Sequence, residues 1–373
     1  MKCYYRKSLN LRRSSPPRRR YSYAIQVATA ANFATSQLSP GGPSASLVLS
    51  VVIGLPAALW AYKCMMMVLF QRKIIYMGYA PPGAREERLG HDVPIPKNVY
   101  TEEITIPSEG KVLLSALVAQ RSANSTPGCV IFYLQGNTGN PLHRLPVFSE
   151  ILLTCKVISP TILAPAPRSY WRSTNRTPTE RGILSDYKHS LHHAIQRWPG
   201  VPIILYGHSL GGAVAIRLLA SLHSDDGKYD AITGLILENP FASVPAMVQA
   251  LYPQRWLPYR YLGPFVWDKW DALAAMKEVQ QEQRRRTVLA RVAPHVLVLL
   301  SEHDEIVPRE MGQALHAASK SDGQGGVAGV GESRPVVIQD ALHDNAWMQR
   351  QWVTEMRAYL EKVVFRSGNK SSK

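Results

Sequence analysis

The most constraining feature of this chain is a short glycine-rich motif between an apolar run and a helical pattern. The motif 207–211, Gly-His-Ser-Leu-Gly, follows the apolar run 201–205 and precedes the helical stretch 213–222. A Gly-x-Ser-x-Gly motif in this setting places its serine on a tight strand-to-helix turn, with the hydroxyl exposed at the C-terminal edge of a sheet. The following helix points its amides at that turn, which favours developing negative charge. The motif predicts Ser209 as a nucleophile; a serine that only caps the helix fits it as well.

Positive charge is concentrated at the N-terminus of the 373 residues, whose formal net charge is +16. No Asp or Glu occurs before Glu86, whereas residues 1–85 carry twelve Lys and Arg. Residues 86–373 hold 31 basic and 27 acidic groups, a net charge of only +4. A nucleic-acid binder carries its basic residues on a folded face. We therefore expect no nucleic-acid partner.

The N-terminal region predicts a membrane anchor. Residues 1–43 form a basic leader that we expect to be largely disordered, and 44–62 is a nineteen-residue apolar stretch. At about 1.5 Å per residue this stretch spans about 28 Å, close to the thickness of a bilayer core. Trp60 and Tyr62 suit the membrane interface. We predict a single-pass transmembrane helix with the lipid bilayer as partner; a cleaved signal peptide and a mitochondrial or other organelle-targeting leader are the alternatives, and the orientation stays open.

Cysteine usage points to neither metal nor cofactor chemistry. The four cysteines have no paired spacing, so they indicate no zinc site and no disulfide framework. No phosphate-binding loop is supported either, because the Gly-Asn stretch 135–140 is short and lacks Lys. We expect no metal and no cofactor.

Beyond a predicted linker at 63–99, residues 100–364 alternate short apolar strands with helices, and a disordered tail is expected at 365–373. This order predicts an α/β fold with a mostly parallel eight-stranded sheet and helices on both faces. The candidate strands are 104–107, 112–119, 130–134, 161–164, 201–206, 235–237, 296–300 and 336–338. The candidate helices are 179–198, 213–222, 310–318 and 345–364.

A catalytic serine needs a histidine that accepts its proton and a carboxylate that orients the histidine. In a fold with this serine turn, the chain order is Ser, then Asp or Glu, then His. Asp304 lies just past the candidate strand 296–300, and His343 lies past the last one. Glu238 also ends a strand and is a rival acid. We predict a triad of Ser209, Asp304 and His343, with Glu238 as a structural anchor.

Two backbone N–H groups are needed to hold the negative charge of an acyl-transfer intermediate. One is expected from Leu210, the residue after the serine. The other is expected from the loop that follows strand 130–134, where Gly136 lets the backbone approach a substrate. We therefore predict the amides of Asn137 and Leu210 as the oxyanion hole, with an ordinary Gly-Asn turn as the alternative interpretation of this loop.

A long excursion rich in aromatic residues separates the candidate strands 235–237 and 296–300. We assign 240–294 as a lid over the site and expect it to cover an apolar acyl chain. The alternative is that the rings only pack the lid on the body of the domain, and for most individual rings this simpler interpretation is favoured.

Five motifs together resemble one group of α/β-hydrolases. They are Gln-Gly-Asn-Thr-Gly-Asn at 135–140, the serine motif at 207–212, Glu-Asn-Pro-Phe at 238–241, Asp-Glu-Ile-Val-Pro at 304–308 and His-Asp-Asn-Ala-Trp at 343–347. The chain from about 100 to 364 is similar to the hydrolases related to the fungal bud-emergence suppressor and to animal abhydrolase-domain proteins with an N-terminal anchor. The resemblance implies a serine hydrolase of the endomembrane system, most simply the endoplasmic reticulum, with Ser209, Asp304 and His343 as its triad. Acyl-protein thioesterases are among the related proteins.

One region departs from that group. The stretch 155–171 carries three prolines, and Ser169 and Trp171 stand where the relatives have glycines. We expect the prolines to weaken or shift the strand 161–164 and the bulkier loop to alter the pocket.

The sequence therefore predicts a membrane-anchored serine hydrolase that cleaves an ester or thioester of an apolar acyl group, including depalmitoylation. Its substrate would be an acylated small molecule, lipid or protein. The alternative is a non-catalytic membrane scaffold on the same fold, because a fold alone does not determine function.

Overall fold

The structure is a computed structural model that describes residues 43–225, 227–279, 286–320 and 334–371. All but the last residue of the predicted leader 1–43 lies outside the described residues, as do the last two residues of the predicted tail. The chain divides into two compact units, residues 1–59 and 60–373.

Helix α1 (Ala45–Leu69) is long and apolar enough to cross a membrane, and no part of its apolar window is buried. Its first turn is capped by Ser44, whose hydroxyl accepts the N–H of Leu47. Pro56 cannot donate a helical hydrogen bond, and a π-helical turn, Ser50–Gly54, ends two residues before it. The helix runs past the predicted end of the span at residue 62, because no helix-breaking residue follows Pro56 before Phe70.

The second unit is built on an eight-stranded sheet with the strand order β1-β2-β4-β3-β5-β6-β7-β8. The pairs β1–β2 and β2–β4 are antiparallel and all the others are parallel, which confirms the predicted mostly parallel sheet. The strands are β1 (Tyr100–Pro107), β2 (Leu113–Gln120), β3 (Cys129–Leu134), β4 (Pro160–Pro165), β5 (Ile203–His208), β6 (Ile232–Glu238), β7 (Leu297–Ser301) and β8 (Val336–Ile338).

Helices cover both faces of this sheet, as predicted. Helices α3 and α10 pack together, and α5 packs against α4, α7 and α8. The helices of this unit after α1 are α2 (Gln71–Ile75), α3 (Leu145–Thr154), α4 (Glu180–Arg197), α5 (Leu210–Ala220), α6 (Val244–Leu251), α7 (Ala272–Glu278), α8 (Val288–Val292), α9 (Arg309–Ser319) and α10 (Arg350–Ser371). Short 3₁₀ turns occur at Pro141–Arg144, Pro258–Tyr261, Gly263–Phe265, Ala293–His295 and Ala346–Met348.

Strand β4 is intact, contrary to the expectation that its prolines weaken it. All six of its residues are buried, and it pairs with β2 on one side and β3 on the other. Pro160 and Pro165 are its first and last residues, so the missing N–H groups fall at the ends of the ladder. Prolines are tolerated at such positions.

The segment 63–99, which the sequence predicts as a linker, contacts the body of the domain at several points. The buried Tyr76 accepts a hydrogen bond from Trp270 Nε1 at 2.8 Å. Met77 N–H donates to the carbonyl of Asn137 at 2.7 Å, and Arg85 donates to two backbone carbonyls after β4. These contacts join the segment to loops that are distant in sequence.

The lid and the C-terminus add detail to the predicted boundaries. The described part of the lid 240–294 consists of α6, two 3₁₀ turns, α7, α8 and the start of a third 3₁₀ turn. Helix α10 continues to Ser371, into the stretch 365–373 that the sequence predicts as a disordered tail.

Candidate active site

Ser209 occupies the turn between a strand and a helix. Strand β5 ends at His208 and α5 begins at Leu210, so the serine is the single residue between them. Its backbone has φ 52° and ψ −118°, a conformation that non-glycine residues rarely adopt. Its N–H donates to the carbonyl of Glu238 at 2.9 Å. Such strain persists only where the surrounding structure holds it, and it is typical of active-site turns.

The flanking glycines are required by packing rather than by their own backbone angles. A Cβ at Gly211 would collide with the carbonyl of Leu134 and lie 2.7 Å from the oxygen of Gln135. A Cβ at Gly207 would collide with the carbonyl of Gly211. The missing side chains therefore let α5 approach the end of β3, which brings the serine beside the loop that carries Asn137.

Asp304 and His343 form a buried hydrogen-bonded pair. Asp304 Oδ2 lies 2.8 Å from His343 Nδ1, and the two side chains are 2% and 4% exposed. The other carboxylate oxygen, Oδ1, accepts the N–H groups of Ile306 and Val307 at 2.9 and 2.8 Å. The loop after β7 thus fixes the carboxylate, and the carboxylate fixes which nitrogen of the histidine carries the proton.

The backbone of His343 is held from both sides. His208 Nε2 and Asn239 Nδ2 donate to its carbonyl at 3.1 and 2.8 Å, and its N–H donates to Glu305 Oε2 at 3.0 Å. The His208 and His343 rings lie 5.0 Å apart. Burial, Arg144 and His343 hold the pKa of His208 well below its ordinary value. His208 is therefore a neutral donor that positions the other histidine.

The rival acid Glu238 has a different environment. It is fully buried, its carboxylate accepts a hydrogen bond from the Tyr206 hydroxyl, and Arg144 lies 3.6 Å away. Burial raises the pKa of Glu238 above the ordinary value of a carboxyl, against the opposing effects of Arg144 and the Tyr206 hydrogen bond. The hydrogen-bonding partner of His343 Nδ1 is Asp304, and the backbone carbonyl of Glu238 accepts the Ser209 N–H.

Ser209 and His343 line one cavity of about 410 Å³, together with Gly136 and Asn137. In the described part of the chain no hydrogen bond joins the serine hydroxyl to the His343 ring. Catalytic hydrogen bonds are often long without substrate and tighten when it binds. Because both side chains line the same cavity, a substrate bound there would lie next to both of them.

The predicted oxyanion donors flank the same space. Asn137 and Leu210 both line a second cavity that also contains Ser209. The carbonyl of Asn137 accepts the Met77 N–H at 2.7 Å and the Tyr170 hydroxyl at 3.0 Å, which fixes the loop. Within the described ranges neither the Asn137 N–H nor the Leu210 N–H donates to another protein group. Both amides are therefore available to a ligand.

The two cavities differ in character. The cavity of about 220 Å³ is lined mainly by apolar side chains of α1, α2 and the segment 240–294, among them Met67, Val244 and Met247. The cavity of about 410 Å³ is more polar and includes Gln135, whose amide nitrogen and oxygen have no partner in the described structure. Ser209 lies at the junction of an apolar and a polar cavity.

A third acidic side chain lies near the two histidines. His208, His343 and Asp344 are close enough to share an ion. His208 Nε2 is bonded to a carbonyl, however, and His343 Nδ1 to Asp304, so one nitrogen of each ring is already engaged. The arrangement is that of a positioned base rather than of a preformed metal centre.

The chain is similar to several known proteins. A family model described as serine aminopeptidase, S33 matches residues 172–266. The protein bem46 of Schizosaccharomyces pombe is 29% identical over 247 residues, which cover 64% of this chain and 71% of that protein. The Arabidopsis thaliana α/β-hydrolase domain-containing protein WAV2 is 26% identical over 314 residues, 80% of this chain and 90% of that one.

The chain has the α/β-hydrolase fold. The resemblance predicted from its motifs is confirmed, and with it the expectation of an ester-hydrolysing enzyme. A solved α/β-hydrolase from Vibrio vulnificus shares the fold, with a TM-score of 0.53 at 18% identity, over 78% of this chain and 93% of that chain.

A lipase is among the relatives of this α/β-hydrolase. The lysophosphatidylserine lipase ABHD12 of Danio rerio is 32% identical over 201 residues, 52% of this chain. The chain spans about half of that relative, 48% of its length.

The pH dependence of hydrolysis is expected to follow His343. Burial lowers the pKa of His343, but the hydrogen bond and charge of Asp304 outweigh it, so the pKa is raised above 6.5. A general base must be neutral, so activity is lost as pH falls through the raised pKa. We expect kcat/KM for a water-soluble ester to have an acid limb with its midpoint above pH 6.5. A midpoint below that value would contradict the assignment of His343 as the base.

Proposed function

We propose that this α/β-hydrolase is a membrane-anchored esterase or thioesterase that removes an apolar acyl group by a Ser209–His343–Asp304 triad. The observation that carries the proposal is the position of Ser209, at the junction of the two cavities and across from a buried Asp304–His343 pair. An acyl chain in the apolar cavity would place its ester carbonyl at the serine and its alcohol or thiol part in the polar cavity.

The proposed reaction proceeds through an acyl-enzyme. His343 Nε2 takes the hydroxyl proton of Ser209 as Oγ attacks the acyl carbonyl, and Asp304 stabilises the imidazolium. The N–H groups of Asn137 and Leu210 hold the oxyanion of the tetrahedral intermediate. His343 then gives the proton to the leaving alcohol or thiol, and water releases the acid by the same steps. No metal or cofactor takes part in this scheme.

Two kinds of substrate are candidates for this site. The name of the zebrafish relative favours a lysophospholipid ester for the chain, and the resemblance to acyl-protein thioesterases favours an S-acylated protein. The apolar cavity supports the acyl part that both share. The apolar helix α1 supports a membrane location, which we propose to be the endoplasmic reticulum or a related endomembrane, with the mitochondrion as the alternative.

The experiment that tests the proposal is a chain-length series of fluorogenic acyl esters with the purified full-length protein. Burying one more CH₂ group contributes about 0.8 kcal/mol, or about four-fold in kcat/KM. We expect kcat/KM to rise by about this factor per CH₂ from the acetyl ester until the apolar cavity is full. Val248→Trp, which fills the cavity, is expected to flatten the series.

The matched control is Val157→Trp, at an exposed position before β4 and at the opposite edge of the sheet from Ser209. It should leave the chain-length series as in the wild type. A flat series in the wild-type protein, or hydrolysis that persists in Ser209→Ala, would contradict the proposal. Absence of hydrolysis of every ester by the wild-type protein would return the scaffold interpretation.

A further inference from the structure

The mouth of the apolar cavity is an apolar rim that faces outward. Four residues line the cavity and are also between 44% and 59% exposed. They are Ile74, Leu251, Phe265 and Ile306. Monomeric soluble proteins rarely expose large contiguous apolar patches without a partner. The rim therefore needs an occupant.

Aromatic and basic side chains surround this rim. The Trp60 and Trp256 rings lie 6.1 Å apart, and Trp256 is 69% exposed. Lys63 Nζ lies 4.6 Å from the centre of the Tyr259 ring, and the Arg72 guanidinium lies 5.2 Å from that of Trp267. Tryptophan, tyrosine and basic residues together are typical of segments that lie in the headgroup layer of a membrane.

The rim is tied to the segment that follows α1. Gln71 is buried, and its amide donates to the Phe265 carbonyl at 3.1 Å and accepts the Trp267 N–H at 2.7 Å. Arg72 Nε lies 2.9 Å from Asp268 Oδ2. The lid segment 265–268 is thereby bonded to α2, two residues after the end of a helix long enough to span a membrane.

We infer that residues 60–75 and 251–267 form a membrane-docking surface that rests in the headgroup layer and opens the apolar cavity directly to the acyl chains of the bilayer. The inference rests on the proposed membrane-anchored function. A bilayer fits better than a protein partner, because the surface continues from the end of the candidate span and combines exposed rings with the exposed ammonium of Lys63, which suits anionic headgroups. Substrate would then enter sideways, without crossing water.

The first test measures docking without catalysis. The background is the full-length Ser209→Ala protein in which Cys3 and Cys64 are changed to Ser. One variant adds Trp256→Cys, and the matched control adds Val157→Cys. Each new cysteine is labelled with an environment-sensitive fluorophore. Val157 is 70% exposed and lies at the opposite edge of the sheet. In nanodiscs that contain spin-labelled phosphatidylcholine, we expect at least about two-fold stronger quenching of the label at 256 than at 157. Equal quenching at the two positions overturns the inference.

The second test separates membrane delivery from chemistry. The double variant Trp256→Ser, Trp267→Ser is expected to hydrolyse a long-chain ester embedded in nanodiscs at least about ten-fold more slowly than the wild type. The reason is that the docking surface no longer inserts into the headgroup layer. Hydrolysis of the soluble acetyl ester should be unchanged, and Val157→Ser should change neither rate. An equal loss on both esters, or no loss on either, overturns the inference. If the wild type hydrolyses no ester, the proposed function fails, while the quenching experiment still decides docking.

Discussion

Replacing Ser209 by alanine is expected to abolish labelling by a fluorophosphonate probe and to lower kcat for the soluble ester by about 10⁶-fold. The probe reacts only with a serine whose hydroxyl is activated by a neighbouring base. Ser209 is the residue held at φ 52° between β5 and α5, where it shares a cavity with His343. Without Oγ there is no acyl-enzyme, and only the weak effect of the oxyanion donors remains. Gel fluorescence and single-turnover kinetics measure the two effects.

Ser221→Ala is the matched control for this substitution. Ser221 caps the other end of α5, where its hydroxyl donates to the Leu218 carbonyl, and it is remote from the cavity. Labelling and kcat should be unchanged in this variant. Equal labelling of the wild type and Ser209→Ala would mean that another residue reacts with the probe, and the proposed triad would then be wrong.

Asp304→Asn is expected to lower kcat by about 10⁴-fold while the protein stays folded. The carboxylate accepts the Nδ1 proton of His343 at 2.8 Å, which leaves Nε2 free to take a proton. An asparagine amide that donates to Nδ1 would hold the ring in the wrong tautomer, with the proton on Nε2. The variant also lacks the charge that raises the pKa of His343, so the acid limb of its residual activity should move to lower pH.

Glu238→Gln distinguishes the two candidate acids. Glu238 is hydrogen-bonded to Tyr206 and lies 3.6 Å from Arg144, so its replacement should lower the thermal unfolding midpoint. At temperatures where the variant is folded, kcat should fall far less than it does in Asp304→Asn. Breaking a buried pair by removing one partner costs about 3–5 kcal/mol. A loss of kcat in Glu238→Gln as large as that in Asp304→Asn, at temperatures where both variants are folded, would contradict the assignment of Asp304.

The central part of the fold could be predicted because its signals are local. A few consecutive residues are enough to predict the serine motif and the apolar strands β3, β5 and β7. The same holds for the residues that follow β7 and β8. The contacts of 63–99 could not be predicted, because they are made with residues such as Trp270 and Asn137 that lie far away in sequence. The effect of the β4 prolines could not be predicted either, since only the register shows that they stand at the strand ends.

The candidate site shows the same division. Asp304 and His343 follow strands whose C-terminal ends meet at one edge of the sheet, so their proximity could be predicted from order alone. The positioning role of His208 could not, because it depends on a bond to the carbonyl of His343, 135 positions later. The only signal in the sequence was its place beside the serine, which is compatible with almost any side chain.

The contacts of 63–99 with the body of the domain also determine where this protein can be cut. A truncation that begins at residue 100, where the first strand starts, would remove Met67, Ile74 and the other α1 and α2 side chains of the cavity wall. It would also leave the Phe265 carbonyl and the Trp267 N–H without the Gln71 amide. The segment that follows the candidate span therefore also completes the wall of the apolar cavity, so the proposed anchor region and the body of the domain cannot be exchanged separately.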